Sequence, residues 1–186
     1  MSISKDEASA ALSQIEAARG RVWEAKAYSH ASPFLILWGV VWLGADLVTQ
    51  FEPRWYWTWP VGVGLGAVAS LVVGYATSRI TTPKGQRGAA WRNVALWLVI
   101  MGFITGLFLV LPPVGGRVIH SIFGLLSGAV YAAMGLWLGW RLTALGVGLA
   151  ALTLAGFFLV GSWYAAFMGL VCGGALILGG LWMRKL

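Results

Sequence analysis

The chain carries few charged residues and almost no cysteine. Of its 186 residues, 10% are Asp, Glu, Lys or Arg and 59% are apolar, whereas about 25% of a soluble domain is charged. This composition excludes a soluble globular enzyme and a disordered tail. The single cysteine, Cys172, excludes an intrachain disulfide. A mean hydropathy of +0.80 instead indicates an integral membrane protein.

Groups that could perform chemistry are also scarce. Beyond residue 33 the reactive side chains are Asp46, Glu52, His120 and Cys172. A zinc site usually has three or four ligands, and Cys172 is predicted near the middle of the last span, apart from the other three. No spacing suggests a Ser-His-Asp or Cys-His arrangement. No Gly-x-x-x-x-Gly-Lys loop occurs. The sequence therefore predicts a protein that is not an enzyme and that holds no metal or cofactor.

The net charge of +7 is not concentrated in one basic segment. Residues 1–32 hold four basic and four acidic residues, and the remaining chain holds nine basic residues and two acids. The excess of positive charge therefore lies in the loops and ends of the apolar part. Basic residues at such positions indicate how a protein is oriented in the membrane. We expect the lipid bilayer, and no nucleic acid, as a partner.

Six apolar stretches are each long enough to cross a bilayer, which needs about 20 residues. They predict an all-α, polytopic fold in which residues 33–186 form a six-helix bundle. Arg141 is the only separation between the fourth and fifth stretches, and Gly161-Ser162 is a plausible turn before the sixth. The predicted spans are Phe34–Phe51, Pro60–Ser78, Val94–Leu111, Val118–Trp140, Leu142–Val160 and Trp163–Met183.

Basic residues are distributed unequally between the two sides of this bundle. With a cytoplasmic N-terminus, eleven Lys and Arg residues fall inside and two, Arg54 and Arg117, fall outside. This bias predicts a multi-pass inner-membrane protein with both termini in the cytoplasm. The aromatic cluster around Trp55, Trp57 and Trp59 fits an interfacial belt, with an aromatic cage for a sugar or a quaternary amine as the alternative.

Glycine recurs along one face of the fourth span, at Gly124, Gly128, Gly135 and Gly139. Such stripes of small residues allow helices to approach closely in lipid. The stripe predicts close packing, either within this chain or between copies in a homo-oligomer. The six spans also suggest three similar hairpins, formed by spans 1–2, 3–4 and 5–6.

Residues 1–32 form a separate cytoplasmic segment, and residues 4–29 fit an amphipathic helix that begins at a Ser4–Glu7 capping box. We expect it to end before Pro33, because proline disfavours helix at the preceding residue. Its apolar face could dock on its own bundle, on a second copy or on a cytoplasmic protein. The residues of this partner-helix face are Ala8, Ala11, Leu12, Ile15, Ala18 and Val22.

Asp46 is the only acid predicted within a span, about one and a half turns from its outer end. A carboxylate at that depth usually faces the bundle interior and has a partner. Arg117 and His120 are the natural partners, since they lie three residues apart on one helical face, and Glu52 is the remaining acid on that side. The group is either a structural ion pair or an outward-facing vestibule with a cation or proton site.

The run Pro33-Phe34-Leu35-Ile36-Leu37-Trp38-Gly39-Val40-Val41-Trp42 resembles the start of the first span in a loose group of uncharacterised small bacterial inner-membrane proteins. The hairpin plan is more distantly similar to the six-helix acid-resistance membrane proteins of bacteria. The resemblance implies a bacterial inner membrane and assigns no functional residue.

Two functions remain open from the sequence. The leading hypothesis is a non-enzymatic membrane protein whose cytoplasmic helix docks or signals to a partner. The alternative is a small transporter or channel for a cation, a proton or an apolar solute that uses Asp46.

Overall fold

The computed structural model of the chain describes residues 5–55, 57–81, 95, 98–99, 102–107, 109–111 and 115–184. Within these ranges the protein is helical and contains no strand. Five helices are long and apolar enough to cross a membrane. They are α1 (Lys5–Phe51), α2 (Thr58–Thr81), α3 (Gly116–Leu138), α4 (Trp140–Leu159) and α5 (Tyr164–Arg184).

These helices confirm the all-helical class, and their length and composition are compatible with a multi-pass membrane protein. Five of the six predicted spans coincide with a described helix. Within the third, Val94–Leu111, residues 95, 98–99, 102–107 and 109–111 are described, and all of these except Leu111 are helical. The six-helix count remains a prediction.

Helix α1 corrects the predicted end of the N-terminal helix. It continues without interruption through Pro33, although an internal proline removes a backbone hydrogen bond and costs about 3 kcal/mol. The carbonyl of Ser29 that loses its bond is on an exposed residue, where water can hydrate it. Beside the proline, the hydroxyl of Ser32 donates to the Gly180 carbonyl at 2.8 Å, and Leu35 is buried. Packing against α5 therefore outweighs the local preference.

The boundary between α3 and α4 lies at Gly139 and not at Arg141 as predicted. Gly139 has φ +129° and ψ 149°, a backbone conformation that side chains disfavour and glycine tolerates. Because one residue joins the two helices, α3 and α4 run antiparallel side by side. The chain therefore leaves the helix at Gly139, whose backbone can adopt this conformation, and not at the charged residue Arg141.

The glycine stripe of α3 lies against α4 within the chain. A Cβ added at Gly128 would lie 2.8 Å from the Gly146 carbonyl oxygen, and one at Gly124 would lie 2.9 Å from a methyl carbon of Thr153. Gly135 faces the backbone of Thr143. The helices can approach this closely because α3 carries no side chain at these positions.

The most extensive helix pairs are α3 with α4 and α1 with α5. Both pairs join helices from different predicted hairpins, so the three-hairpin plan is not confirmed. Gly39 and Gly173 meet where α1 crosses α5: a Cβ on Gly39 would lie 2.7 Å from the Gly173 carbonyl oxygen. The core lies among α1, α4 and α5, and its largest buried side chains are Tyr28, Leu35, Leu142, Leu149, Met168, Leu176 and Met183.

Candidate functional site

Asp46 and His120 form a buried pair between α1 and α3. The Nδ1 atom of His120 lies 3.0 Å from Oδ1 of Asp46. Asp46 is 1% exposed and His120 is 9% exposed. A carboxylate withdrawn this far from water needs a partner, and the imidazole is in position to provide it.

Trp59 of α2 completes the surroundings of the pair. Its ring centroid lies 5.3 Å from that of His120, and Trp42 packs edge-on against Trp59 at 6.4 Å. Oδ1 of Asp46 and Nδ1 of His120 have each other as partners, whereas Nε1 of Trp59 has no hydrogen-bond partner within the described part of the chain. Buried polar atoms are almost always hydrogen-bonded, so this indole N–H beside the pair is an unusual feature of the site.

A cavity of about 410 Å³ reaches the pair from one end of the bundle. Its lining is polar for a membrane protein and includes Thr49, Gln50, Arg117, His120 and Tyr164. Asp46 is not among the lining residues. The cavity, hereafter the vestibule, therefore ends on the imidazole, and the carboxylate lies behind it.

Arg117 does not serve as the partner of Asp46. Its guanidinium donates to the carbonyl of Phe157 and lies 5.0 Å from the centre of the Phe157 ring and 5.3 Å from that of Tyr164. The last carbonyls of a helix lack intrahelical partners and favour a nearby cation. Arg117 therefore stabilises the end of α4 and forms part of the vestibule wall.

Glu52 lies outside the site. It follows the last residue of α1, its side chain is exposed, and it does not line the vestibule. Of the four polar residues considered from sequence, the structure brings Asp46 and His120 together, places Arg117 beside them and leaves Glu52 apart.

Two hydrogen-bond bridges hold the vestibule in shape. Nε2 of Gln50 donates to the Ser162 carbonyl at 3.1 Å, and the Ala166 amide donates to Oε1 of Gln50 at 3.2 Å. The hydroxyls of Ser121 and Tyr164 lie 2.6 Å apart. Gln50 thus ties the end of α1 to the start of α5, a function that sequence reasoning did not assign to it.

The π-helical turn Met168–Gly173 of α5 is the second feature that sequence reasoning missed. A Cβ on Gly169 would lie 2.9 Å from Cβ of Asp46, so this turn packs directly on the carboxylate residue. Such turns occur frequently at functional sites. The spacing of Gly169 and Gly173 was the available signal, and it indicated only close packing.

No match to this chain is found among known protein families, curated proteins or solved structures. The functional argument therefore depends on the geometry. In the described part of the chain, no group of three or more His, Cys, Asp or Glu residues could hold a metal ion. Cys172 is buried, with its sulfur 3.6 Å from that of Met168.

The partner-helix face forms a second candidate site at the other end of α1. Leu12, Ile15 and Val22 are 61%, 50% and 68% exposed, and Ala11 and Ala18 are also exposed. The side chain of Ala8 lies outside the described residues. This face therefore has no cover from the described part of the bundle.

The next part of α1 contacts the bundle. The Tyr28 hydroxyl donates to Oε1 of Glu24 at 2.6 Å and accepts from the Arg141 amide at 3.3 Å. The Arg141 guanidinium lies 5.7 Å from the Tyr28 ring and 4.8 Å from the Trp182 ring. Residues 11–23 are exposed on every side of the helix, and burial begins at Glu24. The contacts of Glu24 and Tyr28 therefore hold α1 to the bundle, and the part of α1 before them extends free of the described helices.

Proposed function

We propose that this chain is a non-enzymatic protein of a bacterial inner membrane whose N-terminal helix docks or signals to a partner. Both termini are in the cytoplasm in this proposal, as the distribution of basic residues predicts. The observation that carries the proposal is the continuity of α1, which runs from Lys5 to Phe51. One helix thus contains the partner-helix face near its start and Asp46 near its end.

The exposure of the partner-helix face supports docking. Leu12, Ile15 and Val22 all lie before the predicted membrane span at Phe34, and each is at least half exposed. Contiguous apolar surface on a segment in water commonly marks an interaction site. The segment as a whole is neutral, with four basic and four acidic residues in 1–32, which disfavours simple adsorption to an anionic membrane surface.

The position of Asp46 supports a signalling role for the same helix. Val22 and Asp46 are 24 residues apart, a distance of about 36 Å along a helix. A ligand or a change of hydration in the vestibule that moves His120 would also act on Asp46, 3.0 Å away. Through the α1 backbone it would act on the docking segment, the part of α1 that carries the partner-helix face.

Site-specific photo-crosslinking in native membranes tests docking. A photoreactive residue at Ile15 should give a discrete crosslinked product, whereas one at Ala17 should not. Residues two apart on a helix do not share a face, and Ala17 is also exposed, so it is the matched control. Equal crosslinking from both positions, or none from either, would contradict the proposal. A product of twice the chain mass would identify a second copy as the partner.

A second candidate function is transport of a cation or proton through Asp46. The vestibule that ends on His120 favours it. Against it, Asp46 itself does not line the vestibule, and transporters usually have broken helices or several polar groups at mid-membrane depth. Reconstitution in liposomes with a pH-sensitive dye decides the matter. A proton flux that is abolished by Asp46→Asn would support transport. If the flux does not exceed that of protein-free liposomes, the transport function is refuted.

A further inference from the structure

A second cavity of the described chain lies between α1 and α2 and is unrelated to the vestibule. It is an open groove of about 620 Å³, within the range of small-molecule sites. Its walls are aliphatic, with Val40 and Val48 from α1 and Val61 from α2. Gly44 and Gly62 line it as well, and the absence of side chains there gives the groove its width. A groove of this composition offers no partner to a polar ligand along most of its length.

One end of the groove differs from the rest. Arg54 is the only charged residue among the described residues that line it, and Trp55 and Trp57 lie beside it, each 63% exposed. These residues belong to the connection between α1 and α2. A loop between two membrane-length helices lies at the membrane surface, where tryptophan collects at the level of the lipid headgroups.

We propose that this groove binds a phospholipid of the surrounding bilayer, with an acyl chain along Val40, Val48 and Val61 and the phosphate on Arg54. The planar guanidinium donates paired hydrogen bonds to phosphate oxygens. The cation lies at the headgroup end and the aliphatic wall lies below it, which is the order of groups in a phospholipid. This proposal is independent of the docking function and holds for either orientation of the chain in the membrane.

Exposure of the groove favours a lipid over a second copy of the chain. Val40 and Val61 are 54% and 55% exposed, and only 6% of the membrane-length segment of α2 is buried. A symmetric dimer places the same patch of both copies face to face. Two grooves in contact would bring their Arg54 residues towards each other, and this repulsion opposes such a dimer.

Native mass spectrometry of the purified protein tests the proposal. The probes are dioleoyl phosphatidylglycerol and dioleoylglycerol, which share acyl chains and differ in the phosphate headgroup. We expect the phospholipid to bind about tenfold more tightly, as one or two charge-assisted hydrogen bonds would give. Arg54→Gln should remove this preference, whereas Arg19→Gln, which changes an exposed arginine outside the groove, should retain it.

Two glycine substitutions locate the site of binding. A Cβ added at either Gly44 or Gly64 meets no atom within 4 Å, so both positions accept a side chain, yet only Gly44 lines the groove. Gly44→Leu should lower the bound fraction of both probes several-fold, and Gly64→Leu should leave it unchanged. Equal binding by the two variants would overturn the proposed location. Loss of a dimer on Gly44→Leu, with lipid binding unchanged, would show that a second copy occupies the groove and would also overturn the proposal.

Discussion

The contact between α3 and α4 makes a sharp prediction about two neighbouring glycines of α4. A Cβ added at Gly146 would lie 2.5 Å from the Gly128 carbonyl oxygen and 2.8 Å from Cα of Ala132. A Cβ added at Gly148 would meet nothing within 4 Å. Gly146→Ala and Gly148→Ala therefore add the same methyl group to the same helix, two residues apart, and differ only in what it meets.

The two changes should have opposite effects on the free energy of unfolding. At Gly148 the methyl group enters open space, and replacing glycine by alanine within a helix stabilises it by up to about 1 kcal/mol. At Gly146 the obstacles are backbone atoms of α3, which cannot rotate away as a side chain would. The helices must separate, and overpacking of this kind costs about 1–3 kcal/mol. A separation of even about 0.5–1 Å also forfeits a quarter to a half of the local dispersion energy.

Equilibrium unfolding in mixed micelles, followed by tryptophan fluorescence, measures the difference. The twelve tryptophans provide the signal, and circular dichroism checks that each variant retains its helical content. We expect Gly148→Ala to unfold at the wild-type midpoint or above it and Gly146→Ala clearly below it. If both variants unfold at the same midpoint, α3 and α4 do not make this contact.

Three further predictions concern other parts of the fold. Asp46→Asn should lower the free energy of unfolding by about 3 kcal/mol in a denaturant titration, because it leaves His120 of the buried pair without its partner. Adding His120→Gln should restore part of this loss. If the losses of the two single variants simply add in the double variant, the two residues do not interact. Gly139→Ala should lower the thermal midpoint by an amount equivalent to about 1–3 kcal/mol, since its φ is +129°, whereas Gly20→Ala, with open space around it, should not. Reporter fusions at residues 1 and 186 should give cytoplasmic signals and a fusion at residue 54 a periplasmic one; a periplasmic C-terminus would contradict the predicted orientation.

Much of the helical architecture follows from the sequence because hydropathy acts over whole segments. The predicted spans Val118–Trp140, Leu142–Val160 and Trp163–Met183 lie within a few residues of α3, α4 and α5. The bilayer requires about 20 apolar residues whatever the neighbours are, so tertiary contacts cannot move these helices far along the chain.

Helix ends are different, because single contacts decide them. Pro33 predicts a break from local sterics alone, yet the Ser32–Gly180 hydrogen bond and the burial of Leu35 hold the chain helical there. At Gly139 the deciding property is a positive φ, and among the many glycines of this chain no sequence pattern marks which one adopts it.

For the candidate site too, the sequence predicts a general feature, and tertiary packing decides which side chain provides it. A lone carboxylate within a span predicts a buried partner, and spacing reduces the choice to Arg117 and His120, which share a helix face. The choice between them depends on the Phe157 carbonyl and the rings of Phe157 and Tyr164, which hold Arg117. Phe157 belongs to α4 and Tyr164 to α5. Their positions relative to α3 depend on how the helices pack, and the spacing of residues along α3 gives no information about that packing.

The two functions left open by the sequence make different demands on α1. Transport requires Asp46 to face a path through the bundle, whereas the vestibule ends on His120 and Asp46 does not line it. Signalling requires only that the buried pair and the docking segment belong to one continuous element, and α1 provides this in a single helix of 47 residues. Because Pro33 lies between the two ends, it is the point at which α1 is easiest to bend. The contact of Ser32 with Gly180 lies beside it, so a movement of α1 relative to α5 would act first on this contact. We therefore favour signalling over transport, and the effect of Asp46→Asn on crosslinking from Ile15 is the measurement that links the two ends of the helix.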